Sequence, residues 1–426
     1  MHQRFSSLTR GCGLAQALPS CVRGFAMFLL IASCQLVVAT PQASGQEPPE
    51  REGKTFPESS SSDVEDSPEV AKLEQEFDAA AVVLKEKIKS LRRLGLKFYE
   101  ANSLEANDVR EEWDAEAIAT QRAHVAVQQA ALAYFLAAPE PNIQATEIVY
   151  SFHAGLIDAG QIGACYRATK KLIKIRPGDE KITLTMGQVS ILANDFDAAA
   201  AYVAGNQLKI AEFPIPSGPL YQFLDSLQKK YERELKFQAE DAKQGSLPRA
   251  IIETNKGQIV IELFENQAPQ TVANFVSLAQ AGFYDQVMFH HVIKNVIAHT
   301  GIMTARGAKQ LRYTIYDESH LPAARHHFRG SVSMHLNSPK KNQGTSEFRI
   351  MLVPGPPMDG TNTVFGRVIS GMDVADRLQP TFEFTDEGEE FIQGTFPDTI
   401  KSITLVGLRD HEYKPTPVQQ EKPLEK

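Results

Sequence analysis

Between Gly282 and Gly301 the chain reads G-F-Y-D-Q-V-M-F-H-H-V-I-K-N-V-I-A-H-T-G. Val287 to Ile293 is rich in β-branched and aromatic residues and is bounded by turn formers, which predicts a buried strand. Successive side chains on a strand face opposite sides. The adjacent His290 and His291 are therefore expected to separate, His290 entering the core with a bond to backbone and His291 looking into a groove.

On both sides of this stretch the hydrophobic period is two. Ala250 to Thr254 and Gln258 to Phe264 flank Asn255-Lys-Gly257 as a hairpin. Ala268-Pro269 opens a helix carrying Val272, Phe275, Val276 and Leu278. Further strands are predicted over 330–334, 347–352, 363–369 and 403–408, with a short helix from Met372 to Leu378. Many strands with two short helices imply a closed β-barrel capped at its ends.

These residues carry a family resemblance. Residues 248–409 resemble a cyclophilin, the peptidyl-prolyl cis–trans isomerase family, through T-N-K-G-Q-I-V-I-E-L-F, A-P-Q-T-V-A-N-F-V-S-L, G-F-Y-D, F-H-x-V-I, G-T-S-E-F-R-I and T-V-F-G-R-V-I-S-G-M-D-V-A-D. The resemblance implies a barrel that binds proline-containing polypeptides, with no cofactor. It also implies which residues form the site, and there the chain departs from the pattern. The family's F-H-R-V-I-P-x-F-M-x-Q-G-G is here Phe289-His-His-Val-Ile-Lys-Asn-Val-Ile-Ala-His-Thr-Gly301. His291 stands at the catalytic arginine position, Val296 at the pocket phenylalanine, Ile297 at the methionine and His299 at the glutamine. S-Q-F-F-I becomes Ser346-Glu-Phe-Arg-Ile350, placing Arg349 where a second pocket phenylalanine belongs, beside Glu347 and Phe348. His335 stands near a position that is usually small, Met358 at a leucine position and Asn362 at that of a rim histidine.

The expected catalytic residues are thus His291 and Arg349. The expected substrate-binding residues are Val296, Ile297, His299, His335, Glu347, Phe348, Met358 and Asn362. Arg349 either relocates the lost donor or snorkels out and partly plugs the pocket. No metal is assigned, although His291, His299 and His335 map to one barrel face and could converge as zinc or copper ligands. Protonation near pH 6–7 is a milder reading of the same imidazoles.

The remaining chain divides as follows. Arg4, Arg10 and Arg23 precede the apolar run Phe25 to Ala39, with small residues through Gly45. That is the layout of an export signal, so residues 1–45 are read as a signal peptide and the protein as exported, periplasmic or associated with the cell envelope. Ile31-Ala-Ser-Cys34 offers a lipid anchor at Cys34 instead, although Leu36 to Ala39 continues the apolar run beyond it. As a retained anchor the run is short against the ~20 residues a span needs. Residues 46–68 are Pro, Glu and Ser rich and read as a disordered linker.

Residues 69–140 read as a long helical hairpin. Val70, Phe77, Leu84, Leu91 and Phe98 form one seam, and Trp113, Ile118, Val125 and Leu132 lie in the second helix. Over 141–206 Gly160 aligns with Asn194 and Ile162 with Phe196, an offset of 194 − 160 = 34 that resembles tetratricopeptide repeats. Residues 207–247 supply a connecting helix and linker, 248–409 the cyclophilin-like domain and 410–426 a charged, Pro-rich disordered tail. The fold class is multi-domain, all-α helices followed by the barrel.

A net charge of -8 with no basic stripe argues against nucleic acid as a partner. Cys12, Cys21 and Cys34 precede the predicted cleavage point, and Cys165 is expected to be a small buried apolar residue. Three functional readings follow: an exported isomerase of reduced activity that assists folding; a catalytically inactive proline-peptide or protein-binding module; and a chain whose helical half binds a partner while the barrel stands by.

Overall fold

The computed structural model describes residues 67–100, 106–204, 217–243, 245, 247–302, 311, 313–338, 343–385 and 388–418. The predicted signal peptide, Cys34 and nearly all of the predicted linker lie outside the described residues. Two compact units divide the chain, at Gly155 and Leu156.

In the first unit α1 (Pro68–Glu100) packs along α2 (Ala106–Ala137). The α1 seam is buried at Val70, Phe77 and Leu94, but Phe98 is exposed. On α2 the buried face is Ala117, Val127, Ala131 and Tyr134, while Ile118 lies in solvent. The seam expected through Ile118 is one residue out of phase because alanines, not the larger aliphatics, allow the close approach of the two helices. Lys87 meets Glu116 at 3.0 Å, and Tyr134 Oη donates to Glu74 at 2.9 Å.

α3 (Ile143–Asp158) leads into α4 (Ile162–Ile175), α5 (Glu180–Leu192) and α6 (Phe196–Val203). The turns before α4 and α6 match. Gly160 and Asn194 both have positive φ, 75° and 63°, and each following residue donates back to the carbonyl five positions earlier: Gln161 to Leu156 at 2.8 Å and Asp195 to Ser190 at 2.9 Å. Glycine and asparagine are the residues that reach this backbone region at least cost. Two short helical turns, Ser217–Leu220 and Tyr221–Phe223, precede α7 (Leu224–Lys243).

The second unit runs from Leu156 onward, so the helices after it and the strands form one body. Arg325 joins them. Its side chain is fully buried, pairs with Glu234 at 3.0 Å and Asp241 at 2.6 Å on α7, and stacks on Phe264 at 3.7 Å. Asn194 bonds the Arg329 backbone in both directions, at 3.0 and 3.1 Å.

The strands are β1 (Arg249–Thr254), β2 (Gly257–Leu263), β3 (His291–Ile293), β4 (Ile297–Thr300), β5 (Ile315–Tyr316), β6 (Ser331–Ser338), β7 (Gln343–Met351), β8 (Val364–Ser370), β9 (Phe382–Thr385), β10 (Gly388–Phe391) and β11 (Ile400–Val406). Ten of them hydrogen-bond in the order β10-β9-β3-β4-β7-β6-β8-β2-β1-β11, and β5 pairs with β7 off this path. The ring closes through the segment before β3. Gln286 N donates to Ile400 O, Ile400 N to Val287 O and Phe289 N to Asp398 O, each at 2.8 Å. Closure pairs β11 with the segment before β3 and leaves the β9–β10 hairpin as a branch on the ring. Inside lie Ile252, Ile259, Ile261, Val332, Phe348, Ile350 and Phe365, and α8 (Pro269–Gln280) adds Val272, Phe275 and Val276. α9 (Met372–Asp376) contributes Val374 and Ala375.

The segment after β11 differs from the disordered tail expected from its composition, since residues through Val418 lie along the barrel. Tyr413 is buried and donates to Glu265 at 2.8 Å, His411 meets the same carboxylate at 2.6 Å, and Val418 N donates to Thr314 O at 2.7 Å. Tyr413 supplies an aromatic anchor that charge and proline content do not reveal.

Candidate active site

The outer wall of the barrel over β3, β4, β7 and β6 carries the residues singled out in the sequence. The ladder fixes one row: His291 pairs with His299, His299 with Arg349, and Arg349 with Ser333. Directly opposed residues of neighbouring strands share a face, so these side chains leave the same side of the sheet. Ala298, Phe348 and Ile350 alternate inward and are fully buried. Phe348, expected in the substrate groove, therefore belongs to the core, with its ring 5.4 Å from Phe275 and 5.5 Å from Tyr284. Glu347 and Arg349 flank it on the groove side by the same alternation.

His291 is held from outside the row. Its Nε2 lies 3.1 Å from Glu389 Oε2 on β10, and its ring stands edge-on to Phe382 of β9 at 4.4 Å. Phe382 in turn packs on Phe391 at 5.5 Å. The β9–β10 hairpin thus clamps the residue at the family's arginine position. Sequence reasoning missed this hairpin, although Phe382-Glu-Phe-Thr385 alternates and Asp386-Glu-Gly388 is a turn signal.

His290 is not a core residue. It is half-buried, its ring 4.8 Å from that of His299 and its Nε2 3.9 Å from Glu347 Oε2. Regular strand begins only at His291, so the alternation that would have sent His290 inward does not apply across that junction.

His299 is 6% exposed. Its Nε2 comes within 3.2 Å of Glu347 Oε2 but out of hydrogen-bonding line, and it has no hydrogen-bond partner among the described residues. Burial, then the charges of Arg349, His290 and His291, hold its pKa down to about 2, so the ring is neutral. His335 lies 4.5 Å from His299 with the two rings tilted at 58°, and its Nδ1 accepts from Arg349 Nη2. Burial, with His299 and Arg349 nearby, lowers it to about 4. Glu347 is buried, which raises its carboxyl above the usual range, while His335, His290 and Arg349 pull it back.

Arg349 does not snorkel. It is 9% exposed, reaches His335 on one side and places Nη1 3.4 Å from Met358 Sδ on the other. Burial lowers its pKa, opposed by Glu347. The apolar end of the groove is mostly aliphatic with one aromatic ring: Val296 and Met358, half-buried, pack with Phe382 against Ile293, Ile297 and Met351. Asn362 sits at the rim with its amide tied to Met334 O at 3.1 Å. The expected trio of His291, His299 and His335 does not converge as a ligand set, because His291 is turned to Glu389 and His335 to Arg349.

The opening of the groove chain is set by Gly301, at the end of β4, with φ of 104°. A Cβ there would overlap the Ser346 carbonyl and the Glu347 backbone. That close approach is what brings β7, with Glu347 and Arg349, under His299.

The family described as cyclophilin type peptidyl-prolyl cis-trans isomerase/CLD matches residues 249–403. Similar proteins include a peptidyl-prolyl cis-trans isomerase-like 1 from Aspergillus fumigatus, 38% identical over 30% of this chain and 80% of that protein. Another is a peptidyl-prolyl cis-trans isomerase from Helicobacter pylori, 41% identical over 30% of this chain and 79% of that protein. A Cryptosporidium parvum cyclophilin type peptidyl-prolyl cis-trans isomerase, crystallised in the presence of the dipeptide Ala-Pro, is 29% identical with a TM-score of 0.32, covering 38% of this chain and 99% of its own. With its barrel closed, a family match running from β1 into β11 and relatives matched over most of their length, the chain belongs to the cyclophilin-type peptidyl-prolyl cis–trans isomerase family.

Proposed function

We propose that the domain is an exported peptidyl-prolyl isomerase of reduced catalytic power, acting on proline-containing polypeptides to assist folding, with Arg349 as its donor. Rotation about an X–Pro bond must break amide resonance, against a barrier of about 18–20 kcal/mol. The bond turns more easily when the ring nitrogen receives a hydrogen bond as it pyramidalises. A charge-assisted hydrogen bond contributes about 1.5–3 kcal/mol, or roughly tenfold to a hundredfold in rate. His291 carries no fixed charge, and Glu389 and Phe382 already occupy its ring. The observation that carries the proposal is the lateral row on the outer wall. Arg349 sits two strands from His291 in the same register and on the same face, roughly 10 Å away. The donor has moved across the groove while the scaffold has stayed. Val296, Ile297 and Met358 would hold the proline ring as an aliphatic cradle less specific than an aromatic one.

A second reading is favoured by one contact. Arg349 Nη1 against Met358 Sδ fills space a proline ring would need, as suits a peptide-binding module without catalysis. Line-shape or exchange NMR on a short X–Pro peptide separates the two, because turnover broadens both isomers and bare binding shifts one. The export signal at residues 1–45 and the repeat-like helices over 141–206 complete the proposal as secretion and scaffold. Fractionation of the full chain tests the first.

A further inference from the structure

The groove holds a second kind of chemistry. We infer that His290 Nε2, His299 Nε2 and Glu347 Oε2 form a binding site for a divalent transition-metal ion of the zinc class, with a fourth position left for water or another ligand. One ligand atom from each of the three residues lies within 4.8 Å of the other two. Glu347 Oε2 is 3.2 Å from His299 Nε2 and 3.9 Å from His290 Nε2. A tetrahedral ion with bonds of about 2.0–2.1 Å separates its ligands by roughly 3.3 Å, so the Glu347–His299 edge is already close to size and a small turn of the half-buried His290 ring would close the other.

The state of the donors points the same way. His299 is more than nine-tenths buried and aims an unpartnered nitrogen at the cluster. Buried polar atoms without partners are rare and costly, and a cation at this point would satisfy the nitrogen. Glu347 is buried between the two histidines, where an ion would compensate its charge. Two imidazoles and one carboxylate suit zinc or another late first-row ion and not calcium or magnesium, which take oxygen ligands. The neighbouring imidazoles are engaged elsewhere, His291 by Glu389 and His335 by Arg349. Arg349 is the opposing charge, and its guanidinium weakens the site. The inference does not depend on whether the groove isomerises prolyl bonds.

The test is zinc chloride titrated into the chelator-stripped full chain by calorimetry, with circular dichroism confirming that each variant is folded. The wild type is expected to take up one ion more per chain than the His290→Ala/His299→Ala double variant. That difference also removes any contribution from Cys12, Cys21 and Cys34. Glu347→Gln, which keeps its shape, and His290→Ala, which changes a half-buried ring, should each weaken binding by about 100-fold or more, the upper end of what even outer-sphere partners cost. His291→Ala should change it by no more than about threefold, as expected of a residue outside the ligand set, and Arg349→Met should tighten it. Cobalt in place of zinc should give the intense visible bands of a four-coordinate ion. Equal zinc uptake by the wild type and the double variant would overturn the site. So would wild-type affinity in Glu347→Gln, or a loss in His291→Ala as large as that in His290→Ala.

Discussion

Replacing His299 with glutamine, the residue the family pattern puts there, should flatten the acid side of the stability profile. In the folded chain this imidazole is held at about 2, against 6.5 for an unperturbed one. Between those values the unfolded chain binds a proton that the folded chain refuses. Stability is therefore fully present above pH 6.5 and is lost as pH falls, by about 1.4 kcal/mol per unit for this one group. From pH 6.5 to 5.0 the loss is about 2 kcal/mol. His335, lowered to about 4, adds a term of the same sign that its partial exposure reduces. Glu347 acts oppositely. Its raised carboxyl takes up a proton in the folded state first, so falling pH relieves its burial and offsets part of the loss. The difference between variant and wild type isolates His299. The assay is native-state hydrogen exchange at the β7 amides Phe348 and Ile350 in the presence of a chelator, at pH 6.5 and 5.0. Fluorescence would miss the effect, because the only tryptophan, Trp113, lies on α2 of the other unit. Wild-type protection should fall by about 2 kcal/mol more than that of His299→Gln. Parallel profiles for the two proteins would refute the buried neutral imidazole.

Other perturbations follow from the same packing. Arg325→Ala should cost about 3–5 kcal/mol, because it leaves Glu234 and Asp241 buried without their partner; urea unfolding followed by far-UV circular dichroism reads it, and a loss below 1 kcal/mol would show the pair is solvated. Gly301→Ala should cost more than about 2 kcal/mol, combining a positive φ with overlap against β7; an unchanged melting midpoint would contradict it. Glu389→Ala should change stability by less than about 1 kcal/mol, since that carboxylate is half exposed. It should nevertheless move the His291 ring resonances in the NMR spectrum, and unmoved resonances would place the hairpin elsewhere.

The barrel was legible because its signals are local and repeated: the Asn255-Lys-Gly257 hairpin, the Pro269 helix start and the alternation along β1. Motif position alone brought His299, Glu347 and Arg349 to the site, and strand register then places them on one face. Three points did not follow. His290 turned outward because regular pairing starts one residue later, a junction that composition does not mark. Phe348 turned inward because Glu347 and Arg349 occupy the alternate positions; strict alternation would have shown it, whereas motif position alone did not. The hold of Glu389 on His291 spans a separation of 98 residues, and no local pattern reports such a contact. On α2 the buried stripe is built from alanines, which carry a weak hydrophobic signal beside Ile118.

The central claim is that the isomerase donor has moved from position 291 to Arg349, and exchange NMR on a short Ala–Pro peptide measures it most directly. The wild-type chain should catalyse exchange slowly. Arg349→Ala should lower that rate by about tenfold to a hundredfold, while His291→Ala should leave most of it. Catalysis that survives Arg349→Ala and vanishes with His291→Ala, or no catalysis by the wild type at all, would contradict the account.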